Sequence, residues 1–479
     1  MQEEHILFIH DAPSDSIALK DDLSGQYITY GKLRIRAEYW KDKFKSEEKK
    51  LILLFLDNSI KSVEVLLGTI SSGNAVALLD PNLSLKLQCS LIEFYQPDII
   101  INTENKEFNF DGYNRDKEHD FFSRRDKGST PPIVIHPDLC LLLSTSGSTG
   151  SPKFVRLTKS NIIQNAKAIA NVLKIDATDV ALAHLPLHYS YGLSVLTSFL
   201  IKYSAISLTK FTFMDKEFWD LMKTQNITHM SGVPFHYKMM TKLGFKRLKL
   251  DKLKVMTQAG GKLDNKTQRI AHDYMSSIGG RFYVMYGQTE ASPRITTLSH
   301  DDFNDNIGSV GNALPNGVLQ VLDEKNNVVL DGEEGNIFYQ GPNVMMGYAE
   351  EKDDLKLGDI NKGLLATGDI GYINNDKFLF ITGRSKRVGK VYGLRVNLDE
   401  IESFIAGENT NAVIQVDDEI IIFVQNQIRG EKEYLIEALQ KRFSLPKGVY
   451  KIIESYEIPR TSRNKPDYKR LEQDFSNVQ

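Results

Sequence analysis

The sequence of 479 residues predicts an α/β protein. We expect a large N-terminal domain of doubly wound sheets, a small β-rich subdomain and a small α+β C-terminal domain. Three observations predict this fold. Apolar stretches alternate with helical periodicity from about 50 to 102. Short strand-like runs separated by Gly, Asn and Pro follow after about 307. From 386 a helix, a hairpin and a second helix come in succession.

The first alternating region reads as strand, helix, strand, helix, strand. LILLFL at 51–56, AVALL at 75–79 and DIIIN at 98–102 are short apolar strands, while 59–73 and 84–95 have the spacing of helices. Such an order is typical of a parallel sheet covered by helices on both faces. The ligand sites of these sheets lie at the carboxyl ends of the strands.

The same alternation returns later in the chain. Strands are predicted at 229–234 and 254–261, each with a glycine turn, followed by a helix at 265–280 and a strand at 281–290 that runs into a polar turn. Beyond these, Asn397 and Glu400 mark the start of a helix, 411–425 reads as a hairpin that turns at Asp417–Glu419, and 431–443 as an amphipathic helix. We place the domain boundary between residues 384 and 385.

Composition excludes several partners. The chain has 59 basic and 62 acidic residues, a net charge of −3, and no basic block, so we expect neither nucleic acid nor an anionic membrane. Its start lacks the plan of a signal peptide. The stretch 181–201 is interrupted by two histidines and a proline, which favours a buried segment over a membrane span. Cys89 and Cys140 form no metal or disulfide pattern. We expect a cytoplasmic protein.

The stretch STSGSTGSPK at 144–153 follows an apolar run and is typical of a loop that holds phosphates. It fits neither the Walker loop nor the dinucleotide fingerprint, because the glycine spacing differs and Pro152 precedes Lys153. Proline disfavours a helix here, so the segment stays a loop whose hydroxyls and backbone N–H groups face an anion. The alternative is an exposed Ser/Gly loop without a ligand.

TSGSTGSPK resembles the phosphate loop of the adenylate-forming enzymes, which include acyl-CoA synthetases, adenylation domains and luciferases. Six motifs match in the family's order between 145 and 471. The resemblance implies ATP- and Mg²⁺-dependent activation of a small carboxylic acid to an acyl-adenylate, with release of pyrophosphate. It then implies transfer of the acyl group to a thiol of coenzyme A or phosphopantetheine. The residues that it assigns to phosphate binding are Thr145, Ser146, Gly147, Ser148, Thr149, Gly150 and Lys153.

MYGQTEAS at 285–292 resembles the family's Y-G-x-T-E turn at the end of a strand. The resemblance implies that adenine stacks on Tyr286 beside Gly287, that Thr289 donates to the α-phosphate and that Glu290 binds Mg²⁺. An aromatic face and a hard carboxylate oxygen suit these ligands.

Three further runs resemble nucleotide-binding segments of the family. TQAGGKL implies that Gly260 and Gly261 lie beside the adenine and the acyl pocket, although a plain left-handed turn before the next helix explains them as well. TGDIGYI and TGRSKR imply that Asp369 and Arg384 bind the two ribose hydroxyls.

IPRTSRNKPDYKRL at 458–471 resembles the family's C-terminal pattern and places the catalytic lysine at Lys465. The sequence departs from the family's pattern at Asn464, where glycine is usual. After glycine, Asn is the residue that best tolerates positive φ. The alternatives are a lysine in a basic tail, or Lys469 in the catalytic role.

In the family the C-terminal domain is a mobile lid. The resemblance implies a hinge at Lys386, and a face carrying Lys390 and Gly393 that is presented to the thiol.

LPLHYSYGLS at 185–194 resembles the element beside the acyl pocket, which implies that His188, Tyr191 and Gly192 line the pocket. His188 fits a core position equally well. Between His184 and Leu200 there is no Asp or Glu to pair a substrate ammonium, so we expect a neutral-tailed acid rather than an α-amino acid.

The chain ends at Gln479, soon after Lys465, so we expect no fused carrier domain and a diffusible acceptor, either coenzyme A or a separate carrier protein. Alternatives are a luciferase-type adenylating oxidoreductase, a stand-alone enzyme that loads a carrier protein with an amino or hydroxy acid, and an inactive nucleotide-binding homologue.

Overall fold

The computed structural model describes all residues except 1–4, 23–24, 104–109, 111, 117–120, 126–133, 145–152, 392–393, 406–410, 426–431, 444, 455, 462–464 and 477–479. Its described residues divide into two compact units. The first unit contains the described residues of 1–145, 151–319 and 339–365. The second unit contains the described residues of 320–338 and 366–479. The predicted boundary between 384 and 385 stays a prediction.

The first unit contains a nine-stranded sheet among its described residues. Six neighbouring strands are parallel, and antiparallel strands lie at both edges. In spatial order the strands are Asn312–Ala313, Arg294–Leu298, Arg281–Gly287, Val255–Gln258, His229–Gly232, Val180–Ala183, Ala205–Leu208, Ile17–Asp21 and Tyr27–Thr29.

A second, eight-stranded sheet in this unit is parallel at its centre, where the strands are buried along their whole length. Continuous apolar runs are expected when helices cover both faces of a sheet. In spatial order its strands are Gly347–Ala349, Phe154–Thr158, Leu139–Ser144, Ala75–Leu79, Leu51–Phe55, Ile99–Asn102, Phe121–Arg124 and Tyr113–Asp116.

Local capping signals start several of the helices that cover these sheets. The Asp264 side chain accepts from the N–H of Thr267, and Thr158 forms a capping box with Asn161. The α-helices of the first unit are Tyr30–Phe44, Ile60–Ser71, Leu85–Tyr95, Lys159–Val172, Ser190–Leu200, Lys216–Thr224, Pro234–Leu243, Phe245–Leu248 and Asn265–Ser277. Two 3₁₀ turns are Thr289–Ala291 and Lys352–Lys356.

The second unit is built on sheets and short helices. It contains most of a four-stranded sheet, whose strands are Val318–Leu322, Gly335–Gln340, Leu364–Ile373 and Leu379–Arg384; residues 318–319, 339–340 and 364–365 of these strands are counted with the first unit. A hairpin of Val388–Val391 and Leu394–Asn397 and a three-stranded sheet of Asn411–Val416, Glu419–Val424 and Tyr450–Ile453 follow. The helices are Leu398–Ile405, Lys432–Phe443 and Tyr468–Ser476, and the 3₁₀ turns are Ser385–Arg387 and Lys447–Val449.

The predicted fold class is confirmed, with two refinements. Both large sheets are mixed, because antiparallel strands close their edges. The strand predicted at 281–290 ends at Gly287 and a 3₁₀ turn follows. The stretch 181–201 is a buried strand and a buried helix, and no helix among the described residues is both long and apolar enough to cross a membrane.

Candidate active site

Part of the predicted site lies outside the described residues. This holds for the phosphate-loop residues Thr145, Ser146, Gly147, Ser148, Thr149 and Gly150, and for Gly393. The side chains of Lys386 and Lys390 are likewise outside them. The other predicted residues are described, and each of the two units carries some of them.

The turn after strand Arg281–Gly287 is fixed by close backbone packing. A Cβ on Gly287 would lie 1.9 Å from the carbonyl oxygen of Pro293, so only glycine fits there. The amide of Asn343 donates to the carbonyl oxygens of Ala291 at 2.5 Å and of Arg294 at 2.9 Å. The turn that carries Thr289 and Glu290 is therefore held at both ends. Asn343 was not predicted; its only sequence signal is the Gly-Pro-Asn turn at 341–343.

Tyr348 links two of the predicted residues. Its hydroxyl donates to Oε1 of Glu290 at 2.8 Å, and the ammonium of Lys153 lies 3.6 Å from the centre of its ring. Lys153 also pairs with Oε1 of Glu350 at 2.6 Å. Burial, with the nearby Glu290 carboxylate, raises the pKa of the Tyr348 hydroxyl, so it stays a donor. The lysine after the phosphate loop and the predicted metal ligand thus share one aromatic side chain.

The residues around Glu290 fit a divalent cation that is shared with phosphate groups. The hydroxyl of Tyr348 occupies one carboxylate oxygen, which leaves the other for a metal. Magnesium at nucleotide sites typically takes one or two carboxylates and completes its shell with phosphate oxygens and water. Among the residues that the structure describes, no group of three or more His, Cys, Asp or Glu side chains is positioned to hold an ion without such help.

The element at 185–194 meets this turn. Ser190 Oγ lies 3.1 Å from Oγ1 of the buried Thr289, so two motifs that are about 100 positions apart in sequence are brought together. A Cβ on Gly192 would lie 2.2 Å from the carbonyl oxygen of Pro186. Gly192 therefore allows the helix to approach the preceding turn, and its predicted place in the acyl pocket stays a prediction.

Gly260 adopts φ +83°, a conformation that favours glycine without any ligand. A Cβ there would lie 3.0 Å from the Tyr189 hydroxyl, and one on Gly261 would lie 3.3 Å from Cγ of Pro234. The left-handed turn thus explains Gly260, and the predicted place of both glycines beside the adenine and the acyl pocket stays a prediction. The close Tyr189 hydroxyl shows that the space beside Gly260 is narrow.

A cavity of about 460 Å³ opens beside His188. Nε2 of His188 lies 3.8 Å from Oδ2 of Asp80, and Asp57 pairs with Lys210 across the same cavity at 2.5 Å. Burial lowers the pKa of His236, another lining residue, to about 4, so this ring is neutral at pH 7. Carboxylates therefore reach the cavity from parts of the chain that the motif at 185–194 does not reveal.

The second unit brings the predicted ribose pair together. Asp369 and Arg384 face each other on neighbouring antiparallel strands, and Nε of Arg384 lies 3.2 Å from Oδ1 of Asp369. The aspartate is buried and the arginine is exposed, so the pair has one face toward solvent. Cross-strand register explains how residues 15 positions apart meet.

Lys465 lies in a tight loop of the second unit. Its N–H donates to Oγ1 of Thr461 at 3.3 Å, and its carbonyl accepts from the N–H of Thr461 at 2.8 Å. The N–H of Asp467 donates to the carbonyl of Pro459 at 2.8 Å, and Leu471 is buried. The choice of Lys465 depends on the spacing between Pro459 and Leu471. The described residues of this segment are thus held by backbone hydrogen bonds and by a buried leucine. Asn464 is outside the described residues.

A buried cluster joins the turn Ser385–Arg387 to the helix after the lysine loop. Arg387 donates to Asp399 and Glu402, and the hydroxyl of Tyr468 donates to Oε2 of Glu402 at 2.9 Å. The guanidinium lies 3.7 Å from the centre of the Tyr468 ring. Burial raises the pKa of Glu402. No pattern in the sequence indicated this cluster, which connects the segment of Lys386 to that of Lys465.

Comparison with known proteins decides the family. The profile of the AMP-binding enzymes matches residues 9–349, well over half of the chain. The chain belongs to the AMP-binding enzyme family. This confirms the family that the motifs predicted.

Relatives of this AMP-binding enzyme are CoA ligases. It is 25% identical over 429 residues to the 4-coumarate–CoA ligase-like 6 of Arabidopsis thaliana, covering 83% of this chain and 75% of that protein. It is 26% identical to the 2-succinylbenzoate–CoA ligase of Staphylococcus epidermidis, over 94% of both chains. Other relatives are matched over less of their length, for example 52% of a long-chain-fatty-acid–CoA ligase of Yersinia pestis.

Solved structures share the fold of the AMP-binding enzyme. ATP-bound MatB from Rhodopseudomonas palustris superposes with a TM-score of 0.79 at 22% identity, over 99% of both chains. The o-succinylbenzoate CoA synthetase MenE from Bacillus subtilis, in complex with an acyl-adenylate, superposes with a TM-score of 0.75 at 20% identity, over 95% of both. Family and relatives together confirm the predicted class, an AMP-forming acid–CoA ligase.

Proposed function

We propose that this enzyme joins AMP to a small carboxylic acid and then transfers the acyl group to a diffusible thiol. The observation that carries the proposal is the linked set Lys153, Tyr348 and Glu290 beside Thr289. A cation, a hydroxyl donor and a carboxylate at the carboxyl end of a strand suit a polyphosphate and its counter-ion.

The proposed roles on the nucleotide follow from these contacts. Lys153 and the loop before it bind the terminal phosphates, Thr289 donates to the α-phosphate, and Tyr286 offers its ring to adenine. The buried carboxylate of Asp369 accepts from the ribose hydroxyls, and Arg384, 3.2 Å away, orients that carboxylate.

We propose Glu290 as the protein ligand of Mg²⁺, through the carboxylate oxygen that Tyr348 leaves available. When bound, the ion would neutralise charge on the phosphate oxygens. The hydrogen bond from Tyr348 orients the carboxylate, as outer-sphere groups commonly do at metal sites.

We propose Lys465 as the cation that stabilises charge as the carboxylate attacks the α-phosphorus and pyrophosphate leaves. Adenylation needs the reacting groups held in line and the phosphoryl charge neutralised, and a fixed cation is worth about 10²–10³ in rate. Removal of this cation should therefore slow the first half-reaction.

ATP–pyrophosphate exchange over a panel of acids tests the proposal. Lys465→Ala should lower exchange by about 10²-fold or more, while Lys469→Ala, four residues on and exposed, should keep most of it. Exchange at the wild-type rate in Lys465→Ala would refute the assignment, and loss in Lys469→Ala alone would move the role to that residue.

For the second half-reaction we propose that residues 385–479 form the lid, that Lys386 is its hinge, and that Lys390 and Gly393 belong to the thiol face. Lys386→Pro should spare exchange and impair thioester formation. Ser385→Pro, beside it in the same 3₁₀ turn, serves as a matched control. Equal loss of both half-reactions in Lys386→Pro would contradict the hinge role.

Coenzyme A is the acceptor that we propose first, because the relatives are named CoA ligases. The phosphopantetheine of a separate carrier protein is the second candidate. Product analysis with each thiol distinguishes the two acceptors. Only the true acceptor should form a thioester, with one AMP released for each thioester formed. The proposed location is the cytoplasm.

A further inference from the structure

Arg294 is buried at the start of strand Arg294–Leu298, with only 4% of its surface exposed. Its backbone is fully bonded. The N–H donates to Oδ1 of Asn165 at 3.3 Å, and the carbonyl accepts from the amides of Asn165 at 3.0 Å and Asn343 at 2.9 Å. The position of the side chain is therefore set by a rigid main chain.

Among the described residues, the buried guanidinium of Arg294 has no anionic partner and keeps one donor unbonded. Its Nε is sealed from solvent and has no hydrogen-bond partner, and the group lies 3.8 Å from the centre of the Tyr191 ring. The titratable groups that act on it are the hydroxyls of Tyr191, which also accepts a hydrogen bond from the guanidinium, and of Tyr189, with no carboxylate among them. Arginine keeps its charge in proteins and has five donors, so an unpaired guanidinium in the interior is costly.

The surroundings of Arg294 place it beside the residues proposed for the acyl group. The Tyr191 hydroxyl is fixed 2.9 Å from Oγ1 of Thr257, which holds the ring. The ring of Tyr189 lies edge-on to Tyr191, with centres 6.3 Å apart, and its hydroxyl borders Gly260. The free Nε therefore belongs to a guanidinium that lies against Tyr191, which the family resemblance assigns to the acyl pocket, and Tyr189 extends from Tyr191 to Gly260.

We propose that Arg294 binds a second carboxylate of the substrate, so that the acid is a dicarboxylic acid: one carboxylate receives AMP and the other pairs with the guanidinium. The planar fork of arginine matches a carboxylate through two parallel hydrogen bonds. The inference rests on the proposed function, and it replaces the expectation of a neutral tail, which considered only the absence of Asp and Glu between His184 and Leu200.

ATP–pyrophosphate exchange with matched acids tests the inference. Each of several dicarboxylic acids, aliphatic and aromatic, is compared with its monomethyl ester. For the preferred acid, the wild-type kcat/KM should exceed that of the ester by about 10²-fold or more, because the ester leaves a buried charge unpaired. Arg294→Met should bring this ratio close to one, and Arg294→Lys should restore part of it.

Arg156→Lys is the matched control, since Arg156 is also buried but lies among backbone carbonyls; it should leave the ratio unchanged. Equal loss for diacid and ester in Arg294→Met would overturn the inference, because the guanidinium would then serve the reacting groups or the fold. A wild-type preference for monoacids would overturn it too, while leaving the proposed function intact. If none of the acids supported exchange, both the inference and the proposed function would be refuted.

Discussion

Two buried arginines of the first unit, Arg156 and Arg294, have opposite surroundings. Arg156 is completely buried and donates to the backbone carbonyls of four residues: Met346, Tyr348, Leu357 and Gly358. Arg294 is nearly as buried and has one aromatic ring as its close partner. A charge with carbonyl partners on every guanidinium nitrogen holds the fold together, whereas a charge with an unbonded buried donor is available to a ligand.

The largest loss of stability is expected when Arg156 is replaced. Arg156→Met leaves several carbonyls without donors, each costing about 1–3 kcal/mol, so the first unit should lose about 3–5 kcal/mol of stability. Both tryptophans of the chain, Trp40 and Trp219, belong to the first unit, so their fluorescence in a denaturant titration reports on that unit. A loss below about 1 kcal/mol would show that the carbonyls do not need the arginine.

His236 is a buried histidine whose ring is uncharged in the folded protein at pH 7. Burial lowers the pKa of His236 to about 4, so between pH 6.5 and 4 the unfolded chain binds a proton that the folded chain does not. Stability therefore falls on acidification, by about 2 kcal/mol at pH 5 from this residue alone.

Denaturant titrations at pH 7 and pH 5 check this slope. In His236→Gln the loss between the two pH values should be smaller by about that amount. His10→Gln, at an exposed position, is the control and should keep the wild-type slope. If His236→Gln lost as much stability between pH 7 and pH 5 as the wild type, the His236 ring would be protonated as readily in the folded protein as in the unfolded chain.

Tyr348 connects the well-bonded Arg156 to Glu290, since its carbonyl accepts from Arg156 and its hydroxyl donates to Glu290. Tyr348→Phe keeps the ring and removes only the hydroxyl. We expect an approximately tenfold higher KM for MgATP, about 1.4 kcal/mol, and a stability change within about 1 kcal/mol. Initial-rate kinetics over a range of MgATP concentrations measure the first effect. An unchanged KM would contradict a role of Tyr348 at the proposed Mg²⁺ site.

The smallest stability effect is expected at Arg294. Replacing a buried, unpaired charge by an apolar side chain is often neutral or stabilising, so Arg294→Met should change the unfolding free energy by about 0–1 kcal/mol, in the favourable direction. The same tryptophan titration measures it. A loss of 3 kcal/mol or more would show that the guanidinium holds the fold, and the contrast with Arg156 would disappear.

Much of the architecture could be predicted because its signals are local. The buried strands Leu51–Phe55 and Ala75–Leu79 are continuous apolar runs, and the hairpin at 411–424 turns where expected, at Asp417. Short-range patterning of this kind needs no knowledge of the remainder of the chain. The strands Ile17–Asp21 and Tyr27–Thr29, at one end of the nine-stranded sheet, were missed, because their short, mixed runs are recognisable as strands only beside their neighbours in the sheet.

The sequence by itself determined the family, the α/β class and the motif residues Glu290, Asp369, Arg384 and Lys465. The tertiary structure decided which side chains surround them: Tyr348 on Glu290, Asp80 beside His188, and Arg294 against Tyr191. These contacts join residues from 58 to more than 100 positions apart. Such distances carry no periodic signal, because only the packing of sheets and turns brings the side chains together.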